Sequence, residues 1–242
     1  EYLYGISEVS SSWPDAALQA QVLAARTYAL SAIAAGPRKA CDCHVDDGRG
    51  PYSDQVFSGW SKQSGAMGER WVAAVNATHA SPTVGMAILY DGQPIRAFYS
   101  SSSGGATQAS VDQWGGDLPY VRSVADPWSL SDDNPNRSWT VTVGQADMAQ
   151  AFAAAAVQQV DVIARDPSGV AKTVQATLVD GTTVTKSGNQ VRNALGLKSS
   201  YINAIDCRAG VTISVPQAPP AQAPVEQPVV NYERQVLSLI HI

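Results

Sequence analysis

Apolar residues recur every three to four positions from Pro14 to Ala35, putting Leu18, Val22, Ala25, Ala29 and Ile33 on one face, the pattern of an amphipathic helix. Ser12 or Trp13 is placed to cap this helix, Pro14 sits near its first position, and Gly36-Pro37 ends it. A second helix is expected from about Gly68 to Thr78, with Trp71, Val75 and Thr78 on one side. Between the two, Arg38 to Gly65 is polar, with Gly-rich turns and little periodicity. Val84 to Tyr90 and Pro94 to Tyr99 read as strands joined by Asp91-Gly92, the residues a tight hairpin turn prefers. The second strand runs straight into a Ser/Gly loop, Ser100 to Gly105. From Ser138 the pattern restarts with a strand (Trp139 to Val143), an Ala-rich helix (Gln145 to Ala156) and a strand (Val160 to Arg165). A strand pair around Asp180-Gly181 and a short helix from Val191 to Leu195 follow.

These elements describe an α+β fold of mixed helices and antiparallel strands. Residues 1–137 form the main domain and 138–206 a smaller α/β unit. Residues 207–236, with Pro216, Pro219, Pro220, Pro224 and Pro228, read as a disordered Pro-rich tail. Such a tail is extended and semi-rigid, like a tether to a further module. Both ends of the chain look cut, since it opens at Glu1 without an initiator Met or signal peptide. Leu237-Ser238-Leu239-Ile240-His241-Ile242 is the in-frame translation of CTG TCT CTT ATA CAC ATC, a transposase end used in sequencing libraries. It is expected to be adapter read-through, so His241 carries no chemistry.

Composition narrows the partners. The chain of 242 residues is 45% hydrophobic and only 15% charged, so its surface leans on Ser, Thr, Gln and Asn. A net charge of −5 without any basic run excludes nucleic acid, which needs clustered Lys and Arg. No apolar stretch reaches the length of a membrane-spanning helix. A neutral polyhydroxyl partner suits this surface better than a polyanion.

Glu8, just before the first helix, is a candidate general acid or base, a role open to a lone carboxylate in a suitable environment. Its bland alternative is a helix-entry carboxylate facing the helix dipole. In the Ser/Gly loop, small residues let the backbone approach a ligand and hydroxyls can exchange hydrogen bonds with sugars. The alternative there is a flexible polar loop. Arg26 and Tyr28 are long polar residues on an Ala-rich helix, open either to substrate or to a structural ion pair and a half-buried ring. Six Trp and nine Tyr offer rings for sugar stacking, most of them destined for the core. Cys41-Asp42-Cys43-His44 has a spacing too short for a usual zinc site and no fourth ligand nearby, so no cofactor is expected. With Cys207 the thiol count is odd, and the pairing stays open. A serine hydrolase is set aside, because there is no G-x-S-x-G elbow and only His44 and His79 remain as bases. A two-carboxylate glycosidase would pair Glu8 with Asp112, Asp117 or Asp126.

Several segments together resemble one known family. Leu18-Gln19-Ala20-Gln21 and Ala24-Ala25-Arg26-Thr27-Tyr28-Ala29 match its long helix in register, with Glu8 where the family places its catalytic Glu. Val9-Ser10 replaces the family's Met-Pro after that residue. Gln55-Val56-Phe57-Ser58-Gly59 is similar to its QVY-x-G turn, Trp71 to Thr78 to its second helix, and Tyr99 to Gly105 to its YHSSSGG loop. Trp114, Asp126-Pro127 and Asn193 to Ser199 complete the likeness, which covers most of residues 1–200. The chain thus resembles the stage II sporulation protein D and amidase enhancer (SpoIID/LytB) group of bacterial cell-wall proteins. The resemblance implies an exported lytic transglycosylase that cleaves peptidoglycan glycan strands, with Glu8 as acid and base. Arg26, Tyr28, Tyr99, Ser101, Ser102, Ser103 and Gly104 would then bind substrate. Peptide-stripped glycan as substrate implies an N-acetylmuramoyl-L-alanine amidase as partner. Zinc-binding relatives carry a His-Cys pair before the QVY turn, replaced here by Ser53-Asp54. The alternative is a non-catalytic amidase enhancer or glycan-binding module, favoured by the lack of a GHGVGMSQ-type segment after Ser199.

Overall fold

The structure, a computed structural model, describes residues 1–47, 54–206, 211–214 and 237–238. Ser53, Cys207 and most of the expected Pro-rich tail lie outside the described residues, as do residues 239–242 of the expected adapter translation. Val211–Ser214 of that tail instead form a strand, because their backbone pairs with residues 140–143. Two compact units emerge: one of residues 1–99 with 228–242, the other of residues 100–227. The division falls inside the Tyr99 to Gly105 motif, between the tyrosine and the serines. Helices and small sheets mix in both, and every strand pair among the described residues is antiparallel, as in an α+β fold.

The first unit is organised by α1 (Asp15–Ala35). Its predicted apolar face is buried at Leu18, Val22, Ala25 and Ala29, and only Ile33, in the last turn, is exposed. Neither Ser12 nor Trp13 caps it. Pro14 is the N-cap, its hydrocarbon ring offers no acceptor, and the Ser12 and Ser10 hydroxyls bond each other. A short helix missed in the sequence, α2 (Trp60–Ser64), leads into α3 (Gly68–Ala77). Trp71 of α3 is fully buried against Ile6, Leu18, Val22 and Ala25, and its indole N–H donates to the Leu3 carbonyl at 2.8 Å.

The strands of this unit are shorter than their apolar runs suggest. β1 (His79–Ser81) pairs with β2 (Val84–Gly85), and β3 (Leu89–Tyr90) with β4 (Gln93–Pro94). Asp91 and Gly92 join the last pair with φ of 47° and 73°, the left-handed values a tight hairpin turn needs. Residues 86–88 leave the expected strand because α1 takes their peptide groups. Arg26 donates to the Met86 carbonyl at 2.9 Å, and the Ile88 amide donates to the Thr27 hydroxyl at 3.0 Å. Leu237 and Ser238 lie antiparallel to Gly85 and Val84.

In the second unit a five-residue helix, α4 (Ser110–Trp114), precedes β5 (Thr140–Val143) and α5 (Gln145–Ala151). The predicted Ala-rich helix stops early. Ala153 adopts φ of 53°, and the Ala154 amide turns back to the Ala149 carbonyl at 2.9 Å. A meander of β6 (Val157–Arg165), β7 (Ala171–Leu178) and β8 (Thr183–Ser187) follows. Ser187 and Gln190 then form a reciprocal capping box at the start of α6 (Gly188–Leu195). β9 (Ala204–Asp206) and β10 (Val211–Ser214) complete a sheet with β5. Met148, Phe152, Val160, Val174, Val191 and Ile202 fill the core.

Candidate active site

Glu8 is held by a strand-like pairing between residues 5–8 and 55–58. Ile6 bridges Phe57, the Ser7 amide donates to the Val56 carbonyl at 2.8 Å, and the Ser58 amide donates to the Gly5 carbonyl at 2.9 Å. The approach requires Gly5, where a Cβ would stand 2.4 Å from the Phe57 ring. Half-buried Glu8 then receives two hydrogen bonds on Oε1, from the Val56 amide at 2.7 Å and the Tyr99 hydroxyl at 3.0 Å. Among the described residues Oε2 has no hydrogen-bond partner.

Behind this carboxylate lies a directional chain of polar groups. Gln55, 3% exposed, donates from Nε2 to the Ala25 carbonyl and to the Tyr99 hydroxyl, each at 3.3 Å. Its Oε1 accepts from the Tyr2 hydroxyl at 2.8 Å. The Ala25 carbonyl can only accept, which fixes the amide orientation. Tyr99 therefore accepts from Gln55 and directs its own proton at Glu8. Burial, with the nearby Glu8 charge, pushes the Tyr99 phenol above its ordinary value despite the Gln55 bond, so Tyr99 stays a neutral donor. Burial, with Asp54 and Glu8, does the same to Tyr2. Gln55 and Val56 were visible in sequence only as part of the QVF turn. The decisive Val56 group is a main-chain N–H, which leaves no mark in the residue types.

Arg26 and Tyr28 lie on α1 but are bonded to other partners. Arg26, 3% exposed, donates to the Thr78 carbonyl at 3.2 Å, the Thr78 hydroxyl at 2.9 Å and the Met86 carbonyl. Its Nε has no acceptor among the described residues. Burial lowers this guanidinium to about 10, still charged at neutral pH. Tyr28 donates to Asp54 at 2.7 Å, and burial with that bond pushes its phenol up to about 12. Asp54 also accepts from Arg38 at 2.5 Å and from the Asp46 amide at 2.8 Å. Burial opposes its charge, yet the bonds from Tyr28, Arg38 and Asp46 prevail and hold its carboxyl below the usual range.

Cys41 and Cys43 pair in a disulfide, which answers the open question of pairing for these two thiols. Neither sulfur is then a thiolate, the form a metal requires. Among the described residues no group of three His, Cys, Asp or Glu could hold a metal ion. The His44 carbonyl accepts from Arg38 at 2.9 Å. His79, its imidazole held below its ordinary value by burial and by Arg26, lines an open groove of about 420 Å³ with Tyr4, Asn76 and Pro82.

Ser101, Ser102, Ser103 and Gly104 belong to the second unit, where the loop is fastened rather than loose. Ser103 donates to Asp126 at 2.6 Å, and Asn134 donates to the Ser102 hydroxyl at 3.0 Å. The Gly105 amide donates to the Ser129 hydroxyl at 2.8 Å, and Ser129 donates to the Asp126 carbonyl at 2.7 Å. Gly104 has φ of 68° against the Tyr201 ring, 2.7 Å from where a Cβ would stand. Ser101 is exposed. Of the three Asp considered beside Glu8, all lie in this unit: Asp126 anchors the loop, Asp117 pairs with Arg122 at 2.6 Å, and Asp112 sits in the first turn of α4.

With this geometry in view, comparison with known proteins is informative. Residues 1–83, which include Glu8, the whole of α1 and the QVF turn, match the family model described as Stage II sporulation protein. The chain is similar to proteins of the SpoIID/LytB family. Stage II sporulation protein D of Bacillus subtilis (strain 168) is 27% identical over 210 residues, 83% of this chain and 58% of that protein. The Bacillus amyloliquefaciens protein of the same name is 28% identical over 209 residues, again 83% and 58%. A protein named Amidase enhancer from Bacillus subtilis (strain 168) is 31% identical over 142 residues, 59% of this chain and 16% of that protein. The chain thus spans 58% of the two sporulation proteins' length and far less of the amidase enhancer's. No helix among the described residues of this chain is long and apolar enough to cross a membrane.

Proposed function

We propose that this chain is a peptidoglycan lytic transglycosylase with Glu8 as both acid and base. The observation that carries this reading is the asymmetry of its carboxylate. Two donors fix Oε1, and Oε2 remains available to move a proton. Protonated at Oε2, Glu8 gives its proton to the oxygen between N-acetylmuramic acid and N-acetylglucosamine as the C1–O bond breaks. The resulting carboxylate then takes the proton of the muramic O6 hydroxyl as that oxygen bonds to C1, closing a 1,6-anhydro ring and regenerating the acid. One carboxylate suffices because the nucleophile belongs to the substrate, so no water must be positioned. Tyr99 and the Val56 amide keep the carboxylate in place during both transfers.

The setting we infer is the cell wall, outside the cytoplasm, with an amidase as supplier of peptide-stripped glycan, a reading supported by likeness to a protein named Amidase enhancer. A second reading, a non-catalytic amidase enhancer or glycan-binding module, is favoured by one departure. No GHGVGMSQ-type segment follows Ser199 before the Pro-rich tract that begins at Pro216. Mass spectrometry of soluble products from amidase-treated peptidoglycan separates the two. Anhydromuramyl fragments are expected from the wild type and to fall by about 10²- to 10⁴-fold in Glu8→Gln. Fragments from neither protein, with glycan or amidase binding intact, would establish the second reading.

A further inference from the structure

We propose that Trp60 is a sugar-stacking residue, holding an N-acetylhexosamine of the glycan strand beside Glu8. This rests on the glycan reading above and adds a binding residue to it. The segment Val56–Lys62 is bonded to Glu8 and to residues on both sides of it. The Val56 amide holds the Glu8 carboxylate, the Ser58 hydroxyl bonds that of Ser7, and Lys62 donates to the Val9 carbonyl at 2.6 Å. Trp60 lies between Ser58 and Lys62, so it is carried by the backbone that frames the acid.

That backbone is fixed. The Lys62 amide donates to the Gly59 carbonyl at 3.1 Å and the Ser61 hydroxyl to the Ser58 carbonyl at 2.8 Å. Lys62 itself packs over the buried Trp71 ring at 5.0 Å. On this rigid turn the Trp60 indole is 73% exposed, with Val56 53% and Trp13 45% exposed on the neighbouring stretches. Trp71, by contrast, is fully buried in the same unit, so the fold has an interior use for indoles and does not apply it here. An indole matches a pyranose well: its flat face covers the sugar's C–H face and its N–H meets a rim hydroxyl or acetamido carbonyl.

The test uses the full chain carrying Glu8→Gln, which prevents turnover, and chitohexaose as the calorimetric probe. Adding Trp60→Ala is expected to weaken binding by about tenfold. Trp60→Phe, which keeps a flat ring, should stay within about threefold of the parent, and both variants should melt with it because the ring is exposed. In the active chain Trp60→Ala should raise KM for amidase-stripped glycan and leave kcat close to wild type. Equal affinity of the Trp60→Ala variant and its parent would overturn the role of Trp60 and leave the glycan reading standing. Failure of the parent itself to bind would overturn both.

Discussion

Two half-buried carboxylates, Glu8 in the first unit and Asp126 in the second, are used in opposite ways. Donors distant in sequence converge on Glu8, from Val56 and Tyr99, and they serve the acid by fixing one oxygen. Asp126 instead serves its donors. Its side chain holds Ser103, its carbonyl holds Ser129, and its amide donates to the Gly105 carbonyl at 2.9 Å. The first arrangement leaves a group able to act on a ligand, and the second immobilises a loop. Ser102 and Ser103, rich in hydroxyls on paper, already use them within the protein, whereas exposed Ser101 keeps its own for solvent or ligand.

The contrast should break most completely at Glu8→Gln, where the proposed transglycosylase activity is expected to fall by about 10²- to 10⁴-fold with the fold kept. Next in size is Arg26, whose charge is on α1 and faces inward. Arg26→Met should destabilise the chain by about 3 kcal/mol, since it strands the Thr78 and Met86 carbonyls. Denaturant titration measures this. A raised KM at unchanged stability would instead return Arg26 to the substrate. Ser103→Ala tests the other carboxylate: removal of a partly buried charge-assisted bond should cost about 1–2 kcal/mol in the same titration. Tyr99→Phe is the matching change at Glu8. With the Val56 amide still bound to Oε1, kcat should fall by about tenfold with stability within about 1 kcal/mol of wild type.

These comparisons also separate what the residue pattern reveals from what it conceals. The apolar face of α1, the Trp71 helix and the Asp91-Gly92 turn were legible because local periodicity and turn chemistry decide them. The end of α5 was not, since Ala153 adopts a left-handed conformation without the Gly that would announce it. Residues 86–88 read as strand because they are apolar, yet Arg26 and Thr27, some sixty residues away in sequence, claim their peptide groups. The site shows the same limit. Glu8 was found by resemblance, but the Val56 amide and the Gln55 link to Tyr99 arise from chain crossings that only the fold reveals.

Asp54 supplies the smallest effect and the finest test of how the Glu8 frame is braced, because it directly precedes Gln55 and Val56. Its folded carboxyl ionises below the ordinary aspartate value of about 3.9, so the folded chain binds fewer protons than the unfolded one there. Its contribution is therefore complete above pH of about 4 and is lost as pH falls through the depressed folded value. Asp54→Asn removes this dependence and, by presenting an amide to Arg38, should cost about 1–2 kcal/mol at neutral pH. Melting curves from pH 7 to about pH 2.5 should show the variant starting lower and converging on wild type in acid. Parallel curves across the whole range would mean that the Tyr28–Asp54–Arg38 cluster does not brace the segment that holds Glu8.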